Sequence, residues 1–328
     1  QVRLAADHQG RLTVIDHRSV SPVPRWKKYQ DEHTKATKMM YAAPHRYTKQ
    51  ELVPLDLAPA SFMRAPGEMT GMFALEVAMD ELAEKCGLDP IEFRLRNEPP
   101  VDPSDQKPFS TRNLVACFTE GAKAFGWKPI DWQDWQREKN QAHDQAGEWQ
   151  TGMGVASATY PHHFLFNTRA RILFEGGRYK VGLQAADLGT GAWTILGQIA
   201  ADALGVHVDA VDVELGHSRL PLAMLAGGSM GTYTWGSSIM VAAVKFREKY
   251  GSTPPEGASL TASGVLPKDY KNYSRHSFGA HFAEVGVSRV TGEVRVTRML
   301  GVYAAGRIIN PRTAHSQFVG GMTMGISA

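Results

Sequence analysis

Apolar and polar positions alternate on both sides of a short polar turn at Asp7 to Gly10, in VRLAADHQGRLTVIDHRSV, which predicts two strands within residues 2–20. The next segment, to about Thr48, carries Pro22, Pro24 and many charges without a period, and predicts an irregular surface stretch. Its aromatics and histidines, Tyr29, His33, Tyr41 and His45, lack ligand spacing and are expected on the surface or in packing. From Glu68 to about Lys85 the apolar residues Met72, Leu75, Met79, Leu82 and Cys86 recur at three- and four-residue steps, while Glu76, Asp80, Glu81 and Glu84 supply polar positions. This predicts the clearest helix of the chain. Gly87 is suited to end it, and Asp89-Pro90 to start a shorter helix through IEFRLRN that stops before Pro99-Pro100. A proline-rich polar stretch then leads to a helix over about Asn113 to Phe125. Pro129 to Trp149 reads as a helical or irregular connection, with packing roles for Trp132, Trp135 and Trp149.

From Thr151 the period changes from helical to alternating. GMGVASATY, ARILFE and YKVGLQAAD predict three consecutive strands with turns near His162 and at Gly176-Gly177. The turn DLGTGAW, a helix over Trp193 to Leu204 and the strand VDAVDVEL follow, so the local order is strand, glycine turn, helix, strand. LAGGSMGTYTWGSS leads into another helix carrying Met240, Val241, Val244 and Phe246, and residues 252–275 read as a polar surface excursion. A hairpin is predicted next, with Thr291-Gly292 at its tip, and Asn310-Pro311 then opens a helix containing Gln317. The expected fold class is mixed α/β (α+β) in two lobes, residues 1–149 and 150–328.

Composition narrows the chemistry. The 328 residues are 43% apolar, enough for a sizeable core, and no apolar run is long enough to span a bilayer. The 36 basic and 33 acidic residues are mixed along the chain, which argues against a dedicated nucleic-acid surface. Cys86 and Cys117, without a CxxC neighbour, exclude a disulfide framework or iron–sulfur ligation on this chain and read as small buried hydrophobes. The chain starts at Gln1 without methionine and stops as an element begins, so it is expected to be a fragment of something longer.

The candidate chemistry lies in turns. SFMRAPGE places Arg64 on a rigid turn immediately before a helix N-terminus, where unpaired amides favour an anionic group. Glycine loops at Gly189 to Gly191, Gly227 to Gly231 and Gly320 to Gly321 accompany it, and together they could cradle a large phosphate-bearing cofactor. Any one of them alone is more simply a turn. No GK[ST] triplet follows a glycine run, Gly189-Thr190-Gly191 fails the dinucleotide fingerprint, and no GxSxG elbow occurs. His162 and His163 are adjacent and point apart, so they form no metal pair.

Four motifs in order, FMRAPGEMTGMFALEVAMDELAEKCGLDPIEFRLRN, QAADLGTGAWTILGQIAADALGV, GGSMGTYTWGSS and GAHFAEVGVSRVTGEVRV with GRIINP and SQFVGG, resemble the molybdenum-binding subunit of the xanthine oxidase and aldehyde oxidase family, nearest the bacterial periplasmic aldehyde oxidases. The resemblance implies two elongated lobes with a molybdopterin cofactor, in bacterial members the cytosine dinucleotide form, at their interface. It implies Arg64 and Phe62 on the substrate side and Ala65 approaching the metal ligands. It implies pterin and phosphate contacts from Gly189, Thr190, Gly228, Ser229, Met230, Gly231, Thr232 and Gln317, with no metal ligand from a protein side chain.

The implied reaction oxidises aldehydes to carboxylic acids with water as the oxygen source, and passes electrons to iron–sulfur and FAD partner subunits. The family's general-base glutamate lies in a GxGE segment that does not occur here, so the isolated chain is expected to be inactive. Glu68, Glu76 and Glu284 are not expected to replace it. A purine or N-heterocycle hydroxylase and a non-catalytic cofactor-binding or scaffold fragment are the alternatives. The compartment stays open between cytoplasm and periplasm, the latter by export with a partner.

Overall fold

The computed structural model describes residues 1–27, 29–132 and 147–327, and Trp135, with most of the expected connection around it, lies outside them. Two compact units divide the chain: residues 1–161 with 272–306, and residues 162–271 with 307–328.

In the first unit, β1 (Val2–Ala6), β2 (Leu12–Pro24) and β3 (His45–Leu55) form one sheet, antiparallel between β1 and β2 and parallel between β2 and β3. α1 (Lys35–Met40) precedes β3. α1 lies in the stretch expected to be irregular and β3 begins in it; β3 went unseen because it buries no side chain and shows no apolar alternation. α2 (Glu68–Lys85), α3 (Pro90–Arg96) and α4 (Leu114–Phe125) follow, with Asp89 capping α3 through bonds accepted from the Ile91 and Glu92 amides. A second, antiparallel sheet has the order β10-β9-β4, from β4 (Trp149–Pro161), β9 (His276–Ser288) and β10 (Val294–Ala304). Leu75, Met79, Phe93, Phe118, Phe278 and Phe282 close the core between helices and sheet. Each such side chain contributes about 1.5–3 kcal/mol by leaving water.

Two departures from the sequence reading belong to this core. Glu76 is 4% exposed rather than on the polar face: Arg94 Nε donates to its Oε2 at 2.8 Å, the Tyr41 hydroxyl to its Oε1 at 2.9 Å, and the Ser157 amide to Oε2 at 2.6 Å. Burial alone would lower the Arg94 pKa, but the carboxylates of Glu76 and Asp80 outweigh it and keep the guanidinium charged. In addition, β4 pairs with β9 and not with the strand that follows it, so the first unit does not end at residue 149. The chain leaves after Pro161 and returns at Asn272 to complete the sheet.

In the second unit the sheet order is β7-β6-β5-β8, from β5 (Arg169–Glu175), β6 (Arg178–Leu183), β7 (Val211–Leu215) and β8 (Ser259–Ser263). β6 and β7 run parallel and are joined through α5 (Ala192–Leu204), the expected strand, turn, helix and strand. α6 (Gly231–Tyr250) and α7 (Pro311–Ile326) complete the unit. Trp235, Ile239, Ala242, Ala243 and Phe246 form the inward stripe of α6, whereas Met240 and Val244 are about half exposed. β8 lies within the expected polar excursion as an edge strand on β5, and Gly320-Gly321 lies inside α7 and not in a loop. Among the described residues no helix is long and apolar enough to cross a membrane.

Candidate functional site

In the first unit the site residues gather at the head of α2. Ala65 and Gly67 both have positive φ, +54° and +85°, so the turn reverses through left-handed conformations before the helix starts. For an alanine this costs about 1–2 kcal/mol, which the surrounding contacts must hold. They do so by close approach of backbones: a Cβ on Gly67 would sit 2.6 Å from the Glu32 nitrogen, and one on Gly71 would run into the His33 carbonyl. The Ala65 and Gly67 carbonyls accept from the Met69 and Gly71 amides, and no side chain caps the helix. Arg64 is exposed on this braced turn. Phe62, 74% exposed, meets the Tyr29 ring edge-on at 5.1 Å. Glu68 is buried beside Lys35 at 3.6 Å, and burial raises its pKa, a helix-head carboxylate in a structural pairing.

In the second unit two glycine turns stand at the heads of α5 and α6. Gly189 and Gly191 have φ of +85° and +82°; the Gly189 amide donates to Asp187 Oδ1 at 2.8 Å, and Thr190 is exposed between them. Gly191 lies against α7, since a Cβ there would meet Thr313 Cγ2 at 2.6 Å. Asn310 caps α7 by accepting from the Arg312 and Thr313 amides, and its Nδ2 donates to Gln198 Oε1 of α5 at 3.1 Å. Gln317 stands four residues beyond Thr313, on the same face of α7. The structure thus sets the Gly189–Gly191 turn against the first turn of α7, one helical turn before Gln317.

At the other turn, Gly228 and Ser229 have consecutive positive φ, +59° and +54°, then Met230 is buried and Gly231 starts α6 against the Trp235 ring. Thr232 is exposed in the first turn. α5 and α6 run in the same sense: Gly236 faces Ile199, and farther along both helices Arg247 reaches the Ala203 carbonyl. Both heads therefore open toward the same side.

The sequence reading missed the segment after β4. His162 lies edge-on to Tyr233 at 4.2 Å, its Nδ1 stands 3.0 Å from the Tyr270 hydroxyl, and the Leu165 amide donates to Thr234 Oγ1 at 3.4 Å. These residues brace the head of α6. Only the contacts betray them, because a HisHisPhe run has no period that points to a helix start.

Five described helix heads, those of α1, α2, α4, α5 and α6, have no side-chain cap. Those of α2, α5 and α6 follow left-handed glycines and carry the expected site residues, and their amides that are not already bonded, as the Met69 amide is to Ala65, can face an anion. Over Gly189 the space is open, with no atom within 4 Å of an added Cβ. Left-handed backbone, free amides and short hydroxyl side chains suit a polar pterin carrying phosphate.

Comparison with known proteins points to the same class of cofactor. The description molybdopterin cofactor-binding domain matches residues 1–98 through one family model and residues 127–254 and 250–328 through another. The chain is 40% identical, over its whole length, to the aldehyde oxidoreductase molybdenum-binding subunit PaoC of Escherichia coli K12, of which it covers 48%. It is 25% identical over 83% of its length to the putative xanthine dehydrogenase molybdenum-binding subunit XdhA of the same organism, covering 42% of that protein. The chain spans about half the length of these curated relatives. In fold it matches the aldehyde oxidoreductase of Desulfovibrio desulfuricans with a TM-score of 0.80 at 22% identity, covering 99% of this chain and 38% of that one. Quinoline 2-oxidoreductase of Pseudomonas putida gives 0.80 at 21% identity, covering 97% and 48%.

Proposed function

This chain belongs to the molybdopterin-binding domains of the xanthine oxidase family, and from that premise we propose that it is the part of an aldehyde-oxidising molybdenum hydroxylase that holds the pterin and presents Arg64 to substrate. The observation that carries the proposal is the left-handed glycine turns that lead into α2, α5 and α6, the helix heads where the expected site residues stand. Amides and hydroxyls of Gly228 to Thr232 would hold a pyrophosphate, the link a cytosine dinucleotide form requires. Gly189, Thr190 and Gln317 would hold the pterin, and Ala65 would admit close backbone approach. When bound, the cofactor supplies oxygen transfer and accepts the two electrons of the oxidation.

The chain's own residues bind and orient. The Arg64 guanidinium donates to the aldehyde oxygen and can grip the product carboxylate with its two-pronged donor geometry. The exposed Phe62 ring offers an apolar wall that excludes water from the aldehyde's side chain. Electrons would leave through iron–sulfur and flavin partner subunits.

The complete subunit, matured with its partners, tests this by metal analysis, nucleotide release and turnover. Molybdenum, released cytidine monophosphate and aldehyde oxidation are expected, with Arg64→Ala lowering turnover roughly 10–100-fold. Matured protein holding neither molybdenum nor cytidine nucleotide would sink the proposal. Preference for xanthine over aldehydes would favour the heterocycle hydroxylase, a reading supported by the similarity to XdhA.

A further inference from the structure

We propose that Tyr29 is a positioning residue for the substrate side, fixing the Phe62 ring that walls the apolar part of the aldehyde. This rests on the reading of Phe62 as a substrate-side residue and adds one residue that no motif marked.

Phe62 needs such a support. It is 74% exposed on the loop before α2, where a lone ring would turn freely in water. Tyr29 meets it with ring centroids 5.1 Å apart and planes at 61°, an edge-on geometry in which aromatic rings attract each other beyond the area they bury. The contact takes one side of the Phe62 ring and leaves most of its surface open to a ligand.

Tyr29 is itself held. Its hydroxyl donates to Asp31 Oδ1 at 2.8 Å, and the Asp31 carbonyl accepts from Gln50 Nε2 of β3 at 2.5 Å. Burial and the Asp31 carboxylate raise the Tyr29 pKa to about 12, so the phenol keeps its proton and its bond near pH 7. The residues that follow clamp the other end of the same turn: the Glu32 backbone lies against Gly67, the His33 carbonyl lies against Gly71, and His33 Nδ1 stands 2.6 Å from Thr70 Oγ1. Lys35 then pairs with Glu68 at 3.6 Å. Residues 29–35 therefore grip the Arg64 turn on both sides, through Phe62 before it and through Gly67 to Gly71 after it. Glu32 and His33 fix the backbone of the turn, whereas Tyr29 fixes a side chain placed on the substrate side. Loss of the Tyr29 ring is thus felt in binding before it is felt in folding.

In the complete subunit, matured with its partners, hexanal and acetaldehyde read the wall, because hexanal carries an apolar chain and acetaldehyde a single methyl. Tyr29→Ala is expected to lower the ratio of kcat/KM for hexanal to that for acetaldehyde roughly 3–10-fold, the range of one aromatic pair, mostly through the KM for hexanal. Tyr29→Phe keeps the ring and is expected to restore most of the ratio. Combined with Phe62→Ala, Tyr29→Ala is expected to add nothing further. Effects that multiply, or a wild-type ratio in Tyr29→Ala where Phe62→Ala lowers it, would overturn the positioning role. A Phe62→Ala enzyme with the wild-type ratio would instead remove Phe62 from the substrate side, and the role of Tyr29 with it.

A second measurement needs no turnover. In the same subunit labelled with 4-fluorophenylalanine, one ¹⁹F resonance, the one lost in Phe62→Ala, is expected to shift in Tyr29→Ala. If Tyr29→Ala does not fold, Tyr29→Leu, which keeps bulk and removes the ring, is read in the same way. No shift in a folded variant overturns the contact and the positioning role. A shift together with a wild-type ratio in Phe62→Ala assigns the failure to the placement of Phe62 on the substrate side and not to the pair.

Discussion

The turn at Arg64 and the turn at Gly228 both end in the head of a helix, yet they are built from opposite materials. The first presents a long charged side chain and is held by everything around it: glycines pressed onto the Glu32–His33 backbone, and a buried Glu76–Arg94 pair two turns down α2. The second presents almost no side chain. Gly228, Ser229 and Gly231 offer amides and a hydroxyl, held mainly by Met230 and Trp235 packing from below. A group that must aim needs a rigid foundation, whereas a group that must enclose needs bare backbone. Damage to the first should appear as lost folding, and damage to the second as lost ligand.

The strongest test of that contrast is Glu76→Ala, which leaves the fully buried Arg94 charge with Asp80 as its one remaining carboxylate. We expect a loss of about 3–5 kcal/mol in the first unit, read by urea unfolding with a Trp127 probe; a loss below 1 kcal/mol would break the comparison. Acid offers a second lever on the same unit. Burial lowers the His276 pKa from 6.5 to about 4. Because the folded value lies below the unfolded one, its stabilising effect is complete above pH 6.5 and lost as pH falls toward 4, on the order of 3 kcal/mol in all. His276→Gln should flatten the urea midpoint across that window, and an unchanged slope would remove His276 from the account.

In the second unit the expected costs are smaller and fall on the cofactor. Gly228→Val forces a β-branched residue into φ +59° and against Met230, about 2 kcal/mol of strain, so molybdenum content should fall well below wild type while the unit stays folded. Full occupancy in this variant would contradict the backbone-cradle reading. Gly189→Ala is the mildest change: open space but φ +85°, hence about 1 kcal/mol and a partial loss of molybdenum. If it proved as severe as Gly228→Val, contact rather than conformation would be controlling that turn.

Much of this was legible from the chain. The stripe of α2, the tip of the β9–β10 hairpin at Gly292, and the β6–α5–β7 unit each follow from local periodicity and one suitable glycine. Partners far away in sequence were not legible. Glu76 read as surface because Arg94 and Ser157, which bury it, are distant in the chain. β4 seemed to belong with β5 because they are neighbours, though its edge is completed by β9. β3 escaped notice for the opposite reason: an exposed strand paired along one side carries no apolar rhythm. At the site, the turns were visible as glycines, whereas elsewhere the packing of Tyr303 across Gly279 on the β9–β10 ladder is a relation that only the register supplies.

The return of the chain to β9 also bears on how the protein is made. As synthesis passes Pro161, β4 emerges with no strand to pair, and residues 162–271 must follow before His276 appears. At ordinary ribosomal speeds that interval is on the order of ten seconds. For its duration a half-finished sheet edge is exposed beside a nascent second unit that is free to fold. A chaperone acting on this polypeptide would find its longest opportunity there.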